Sequence, residues 1–175
     1  MQETHCQSGS FLLYIADMKK EFYLILPNIR SCHNVGAMFR NADAFGVTKL
    51  FLVGWTAQPP KPQIDKVSLG AETWMPWEHR ESLEELLHEL TQAGMSLVAL
   101  EQSEKSIDIG TWTLDTRARK GVALIVGNEV HGVALEILAL CDDIVHIPMY
   151  GQKESLNVSV AAGVAMWEVS KRFHA

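Results

Sequence analysis

The sequence predicts an α/β fold, a mostly parallel sheet with helices on both faces, and three observations carry that prediction. Five apolar runs have the length of strands: Phe22–Leu26, Leu50–Val53, Leu97–Leu100, Val122–Val126 and Ile144–Ile147. Stretches of helical periodicity alternate with them near 34–45, 81–93 and 133–140, and a last one covers 157–172. The strand runs are short and almost wholly apolar, as in parallel sheets covered on both faces. At 175 residues, 47% hydrophobic and 21% charged, the chain suits one domain over 1–175, with 1–20 as a short N-terminal extension. No internal repeat or linker divides it.

The first strand leads into Asn28-Ile29-Arg30-Ser31-Cys32-His33-Asn34 and then a helix. Asn34 is well placed as its cap, with Val35, Met38, Phe39 and Ala42 as the core-facing stripe. Arg40 lies off that stripe. Helical side chains lean toward the N-terminus, so Arg40 is expected to reach back over Gly36 and Ala37, which leave it room. A guanidinium beside an amide-rich helix start makes a phosphate or carboxylate site. A plain surface ion pair accounts for the spacing of Arg40 equally well, and for Arg30 it is the simpler reading. The loop holds a single glycine, Gly36, which excludes the G-x-G-x-x-G of a dinucleotide-binding turn, and no P-loop is present.

After the second strand, Trp55 to Lys66 carries Pro59, Pro60 and Pro62 and reads as a surface loop. Trp74 and Trp77 read as packing residues, since buried aromatics outnumber base-stacking platforms. Between 78 and 89, Glu78, Glu81, Glu84, Glu85 and Glu89 oppose Arg80 alone, while Leu83, Leu86, Leu87 and Leu90 keep helical spacing. That solvated acidic face holds −4 of the formal net charge of −6. The acidity argues against a general nucleic-acid binder, but it leaves the rest near neutral. Between Asn28 and Ala42 the only charges are Arg30 and Arg40, so a local basic site fits.

The strand Val122–Val126 ends in Gly127-Asn128-Glu129-Val130-His131-Gly132. Glycines at a strand's carboxyl end let a ligand approach the backbone, and open α/β sheets bind ligands at that edge. A tight connection that needs glycine only for its turn explains the segment as readily. The last strand runs into Ile147-Pro148-Met149-Tyr150-Gly151-Gln152-Lys153-Glu154-Ser155-Leu156-Asn157-Val158-Ser159. A Ser or Asn there caps the following helix, but a cap alone does not account for Lys153, Glu154, Ser155 and Asn157 together before a helix uncharged until Glu168. All three segments lie at carboxyl ends of strands, where they can converge.

The three cysteines, Cys6, Cys32 and Cys141, show no C-x-x-C spacing and form an odd set, which favours reduced thiols. The start lacks the basic and apolar regions of a secretory signal, and no run is long enough to cross a bilayer. A cytoplasmic protein without membrane association is the expectation. Seven scattered histidines give no metal-ligand spacing, so no metal is expected.

In this order the three segments resemble the SpoU/TrmH branch of the SPOUT superfamily of RNA methyltransferases. The first motif of that family, an Asn followed by an Arg, looks like Asn34 to Arg40; the second matches Gly127 to Gly132; the third matches Ile147 to Met149 and Ser155 to Ser159. The resemblance covers Phe22 to the C-terminus. It implies a C-terminal deep trefoil knot, an exception to the rule that chains avoid knots. It implies S-adenosylmethionine bound by Leu100, Glu101, Gly127, Ile147, Met149 and Leu156, and a homodimer packed through the first and last helices. The last helix suits that, with Val158, Ala161, Ala162 and Ala165 on one face and no charge before Glu168.

The implied reaction is methyl transfer to a ribose 2′-hydroxyl of RNA, with Arg40 as the catalytic residue and Asn34, Glu129, Ser155 and Asn157 orienting it and the ribose. A guanidinium stays protonated, so an electrostatic role suits Arg40 better than that of a general base. The expected RNA contacts are Arg30, Arg40, Lys61 and Lys66, with tRNA favoured over rRNA and recognition shared with the Trp55–Lys66 loop or an accessory protein. Two other readings stand beside this one: a knotted RNA-binding module without catalysis, and an unknotted flavodoxin-like domain.

Overall fold

Seven strands pair in parallel throughout a computed structural model that describes residues 20–114 and 119–173. They are β1 (Glu21–Pro27), β2 (Lys49–Val53), β3 (Trp77–Arg80), β4 (Met95–Leu100), β5 (Ile107–Asp108), β6 (Gly121–Val126) and β7 (Asp143–His146). Their spatial order is β3-β2-β1-β6-β4-β7-β5. Six helices are described: α1 (Cys32–Ala44), α2 (Pro62–Ser68), α3 (Ala71–Trp74), α4 (Leu83–Gln92), α5 (Leu135–Leu138) and α6 (Val158–Phe173). The expected extension falls largely on residues 1–19, outside the described residues.

Alternation of side chains along each strand divides the core in two. Leu24, Leu26, Leu50, Leu52, Leu124 and Val126 pack on one face with Met38 and Phe39 of α1, Ile64 of α2, and Ala162, Ala165 and Met166 of α6. Ile25, Phe51, Leu97, Ala99, Ala123 and Ile125 pack on the other with Leu86, Leu87 and Leu90 of α4 and Ile137 and Leu138 of α5. Every residue of β6 is buried, which explains its unbroken apolar sequence. Among the described residues no helix is long and apolar enough to cross a membrane. The Cys141 thiol is pushed up to about 12, by burial first and by Asp142 second, so it is inert at neutral pH.

The strand order places the ligand edge. From β1 the chain winds outward through β2 and β3, and β4 then starts on the other side with β6 between it and β1. The carboxyl ends of β1, β6, β4 and β7 therefore flank the point where the order reverses, where open α/β sheets form their clefts. A second insertion lies at the far edge: β7 sits between the consecutive strands β4 and β5. The 101–106 connection must pass β7, and the chain leaving β7 must pass that connection. Gln102 Nε2 donates to the Glu154 carbonyl oxygen at 2.9 Å where the two meet. Arg172, near the end of α6, donates to the carbonyls of Ile109 (2.7 Å) and Trp112 (2.7 Å) and lies over the Trp112 ring.

Several expectations are corrected. The proline-rich stretch is a loop only as far as Lys61. Pro62 opens α2, where its missing N–H faces no helical acceptor and its fixed φ suits the first turn. That helix occupies the notch at Gly36: a Cβ there would lie 2.6 Å from the Ile64 carbonyl oxygen and 3.1 Å from Val67 Cβ. The space expected to receive Arg40 is thus filled by α2, and Arg40 stays exposed. Glu78 and Arg80 belong to strand β3 instead of a helical face, in an ion-pair cluster with Lys49 (2.5 Å to Glu78) and Glu89. Trp77 packs against the core as expected, whereas Trp74 is 58% exposed with its indole N–H donated to Asp43 at 3.0 Å. The Gly36 contact predicts that Gly36→Ala costs about 1–3 kcal/mol by overpacking the α1–α2 crossing. Urea unfolding of the variant should show a lower midpoint at an unchanged slope.

Candidate active site

The Glu129 carboxylate gathers the loop after β1. It accepts the backbone N–H groups of Arg30 (3.2 Å) and Ser31 (3.2 Å) and the side-chain amide of Asn34 (3.1 Å). Asn34 is free to do so because it is not the helix cap. Ser31 takes that place, its Oγ accepting Asn34 N–H at 3.3 Å, and α1 starts at Cys32. Asn34 Oδ1 in turn accepts from Asn157 Nδ2 at 3.2 Å. Asn157 Oδ1 accepts the Ser159 N–H (2.9 Å) and hydroxyl (2.7 Å), so Asn157 caps the start of α6 while its amide faces Asn34. One directed chain of hydrogen bonds therefore joins all three sequence segments.

Behind this network the backbone after β6 doubles back. Asn128 and Gly132 exchange two N–H···O bonds of 3.0 Å, and a Cβ at Gly127 would stand 2.8 Å from Gly132 Cα. Gly132 has φ +65°, and a side chain there would strike the Glu101 carboxylate. Glu101, just past β4, accepts the N–H groups of Val133 (2.6 Å) and Gln102 (2.9 Å), tying two strand ends together. Asn128 accepts from Val130 and His131 N–H and donates to the Asn28 carbonyl at 2.6 Å.

A cavity of about 450 Å³ opens on this wall. Leu100, Glu101, Gly127, Ile147, Met149 and Leu156, the residues expected to hold a cofactor, all line it. So do Glu129, Ser155 and Asn157. Asn34 reaches it only through its bonds to Glu129 and Asn157. Arg40, Lys61 and Lys66 are exposed and stand outside the lining, and Arg30 contributes its backbone alone. Sequence reasoning missed Gln102, Asn128 and His146. Gln102 and His146 line the cavity at strand ends, and Asn128 stands inside the glycine motif, so position was the available signal. His146 Nδ1 lies 3.0 Å from Ser106 Oγ, which also donates to the Ser103 carbonyl at 2.7 Å.

Partial burial pushes the Glu129 carboxyl upward, but hydrogen bonds outweigh it. The N–H of Arg30, its own N–H, the Asn34 amide and the Ser31 N–H hold it below its ordinary value. It is therefore an acceptor only at neutral pH, which suits orientation and electrostatics better than donating a proton. Glu129→Gln places an amide against backbone donors and should lower the melting temperature modestly, because the site is exposed to solvent. A folded-state value below the unfolded one means the stabilisation is present above the ordinary carboxylate range and is lost as pH falls through the depressed value. Melting temperatures of wild type and variant should differ at neutral pH and converge only in acid.

Comparison with known proteins gives these motifs a family. The profile of the SpoU rRNA Methylase family matches residues 21–167. A tRNA (guanosine(18)-2′-O)-methyltransferase of Aquifex aeolicus is 32% identical over 88% of this chain and 71% of its own length. The 23S rRNA (guanosine-2′-O-)-methyltransferase RlmB of Vibrio cholerae is 30% identical over 90% of this chain, which spans 62% of that enzyme. Among solved structures, the AdoMet-bound rRNA methyltransferase of Sinorhizobium meliloti superposes with a TM-score of 0.79 at 27% identity, over 90% of this chain and 59% of its own. A structure described as giving insight into 2-OH methylation of C/U34 on tRNA aligns with a TM-score of 0.76 at 25% identity, over 89% of this chain and 98% of its own. The chain belongs to the SpoU methylase family, and its likeness to solved members implies the trefoil knot expected from the sequence.

Proposed function

We propose that this SpoU-family chain transfers a methyl group from S-adenosylmethionine to a ribose 2′-hydroxyl of RNA, with tRNA as the favoured substrate class. The observation that carries the reading is the convergence of Asn34, Glu129 and Asn157, from three distant segments, on the rim of one cavity at the sheet's carboxyl edge. Support for tRNA comes from the Aquifex relative and from the compact tRNA-methylation structure that this chain nearly spans. The Vibrio relative keeps rRNA as the second reading.

The cavity suits the cofactor. Its volume is in the range of ligand pockets, and Leu100, Val126, Ile147 and Leu156 offer apolar walls for an aromatic base. The carboxylates of Glu129 and Glu154 suit a ligand carrying ammonium and sulfonium charges. Glycine at 127 and 132 keeps the back wall free of side chains. When bound, S-adenosylmethionine supplies an electrophilic methyl group.

The chain's own residues then have separable tasks. Glu129, Asn34 and Asn157 hold the loop after β1 and the start of α6 in fixed register, and Ser155 presents a hydroxyl to the cavity. Arg40 makes no ion pair among the described residues, which leaves its guanidinium for an RNA phosphate and for the oxyanion developing at the ribose. The hydroxyl proton passes to that phosphate or to water, since guanidinium accepts none. Arg30, Lys61 and Lys66, all exposed, extend the RNA contact.

The single chain leaves Val160, Val164 and Trp167 of α6 exposed at spacings of four and three, one apolar stripe. A second copy of the chain is its proposed cover. Val164→Glu should convert a sedimenting dimer to monomer and abolish turnover, and a dimer of unchanged mass would exclude this helix from the interface.

Methyl transfer to undermodified RNA, separated into tRNA and rRNA and read by nucleoside mass spectrometry, tests the reaction itself. A 2′-O-methylnucleoside should appear with wild type. With Arg40→Ala, kcat should drop by about 10²–10³-fold, as for loss of an oxyanion-stabilising donor. Arg40→Lys should recover only part, because it keeps the charge and loses the planar fork. Absence of product from every RNA fraction, with S-adenosylhomocysteine still bound, would favour a binding module without catalysis.

A further inference from the structure

We propose that Trp55 is a stacking platform for a base of the RNA substrate, next to the ribose that is methylated; the inference rests on the RNA methyltransferase reading above. Trp55 follows Gly54 at the carboxyl end of β2, the sheet edge that carries the cavity. It is 59% exposed, whereas the next residue, Thr56, is 2% exposed. Its indole makes no ring contact or hydrogen bond among the described residues. That sets it apart from Trp74, bonded to Asp43, and from Trp167, packed with Phe45 and Lys171.

The backbone under this ring is built rigidly. Asn28, at φ +55°, accepts the Trp55 N–H on its side-chain oxygen at 3.2 Å. Gly54, at φ +62°, is so close to that same side chain that a Cβ would collide with it. The buried Thr56 hydroxyl donates to the Leu26 carbonyl at 2.6 Å and accepts the Ile29 N–H at 2.9 Å. A large apolar ring held out by two left-handed residues and a buried hydroxyl bolt is not a loosely packed core residue.

The same pedestal reaches the site. Asn28 presents its carbonyl to Asn128 Nδ2 at 2.6 Å, and Asn128 precedes Glu129. Two residues after Asn28, Arg30 gives its N–H to Glu129 and leaves an exposed guanidinium with no ion pair among the described residues. A flat π-face with no intramolecular ring partner and an exposed guanidinium, on two segments that Asn28 links and one of which is bonded to the orienting carboxylate, match a nucleobase and its phosphate. An apolar protein partner would call for a contiguous hydrophobic patch, whereas the segment bonded beneath this residue carries Asn28 and Arg30.

The test compares wild type, Trp55→Ala and Trp55→Phe for binding of undermodified tRNA and rRNA fractions, for S-adenosylhomocysteine affinity and for sedimentation. Trp55→Ala should weaken binding of the substrate RNA about tenfold, the scale of one stacked base. Trp55→Phe should stay within about threefold of wild type, because it keeps a π-face. S-adenosylhomocysteine affinity and oligomeric state should not move, and in turnover KM for RNA should rise while kcat holds. Wild-type RNA affinity in Trp55→Ala would overturn the platform and leave the methyltransferase reading standing. A changed oligomeric state would overturn it in favour of a protein contact. Wild type that binds S-adenosylhomocysteine but no RNA would overturn the functional reading, and the platform with it.

Discussion

The site is organised by one ionised carboxylate. Glu129 can only accept, so the groups facing it must donate, and each choice forces the next. Asn34 must turn its nitrogen toward Glu129 and therefore its oxygen toward Asn157. Asn157 must answer with its nitrogen, which leaves its oxygen to cap the first turn of α6. Amide orientation, helix start and loop position are thus set by one charge. The residues it unites lie 95 and 123 positions apart along the chain, so none of this order exists locally.

Glycine supplies the complementary constraint, the absence of side chains. At 127 and 132 two backbone segments approach more closely than any Cβ would allow, and Glu101 fills the space behind Gly132. The second carboxylate works as the first does, on backbone donors, and joins the end of β4 to the segment after β6. One wall of the cavity is therefore backbone held by acids, and Leu100, Val126 and Ile147 at the strand ends add apolar lining.

Much of this was legible in the chain. Strand runs separated by helical periods reveal the layers, because burial on both faces demands continuous apolar strands. Motif residues were recognisable because their types are poorly explained by packing, as with Asn157, a cap that also carries a bond to Asn34. What escaped was decided by neighbours distant in sequence. Asn34 looks like a cap until Ser31 is seen to take that place. Gly36 looks like room for Arg40 until α2 is seen to fill it, and α2 itself was hidden by prolines that also suit a helix start. Strand β3 went unseen because Trp77-Glu78-His79-Arg80 is half-buried and charged, stabilised by Lys49 and Glu89 instead of by apolar content.

The middle strand of the sheet is β6, the sixth to be synthesised. Until it arrives, β1 and β4 expose bare hydrogen-bonding edges toward each other across a gap of one strand's width. A nascent chain is therefore committed to a vacancy at its centre for some hundred residues, since Glu21 pairs with Gly121. Early closure of β1 onto β4 would be a trap that the native order forbids. Chains of such long-range pairing fold slowly and are exposed to aggregation while they wait. A sheet that seats its central, fully buried strand so late gains an unbroken core, and it gives up the chance to assemble piece by piece as it leaves the ribosome.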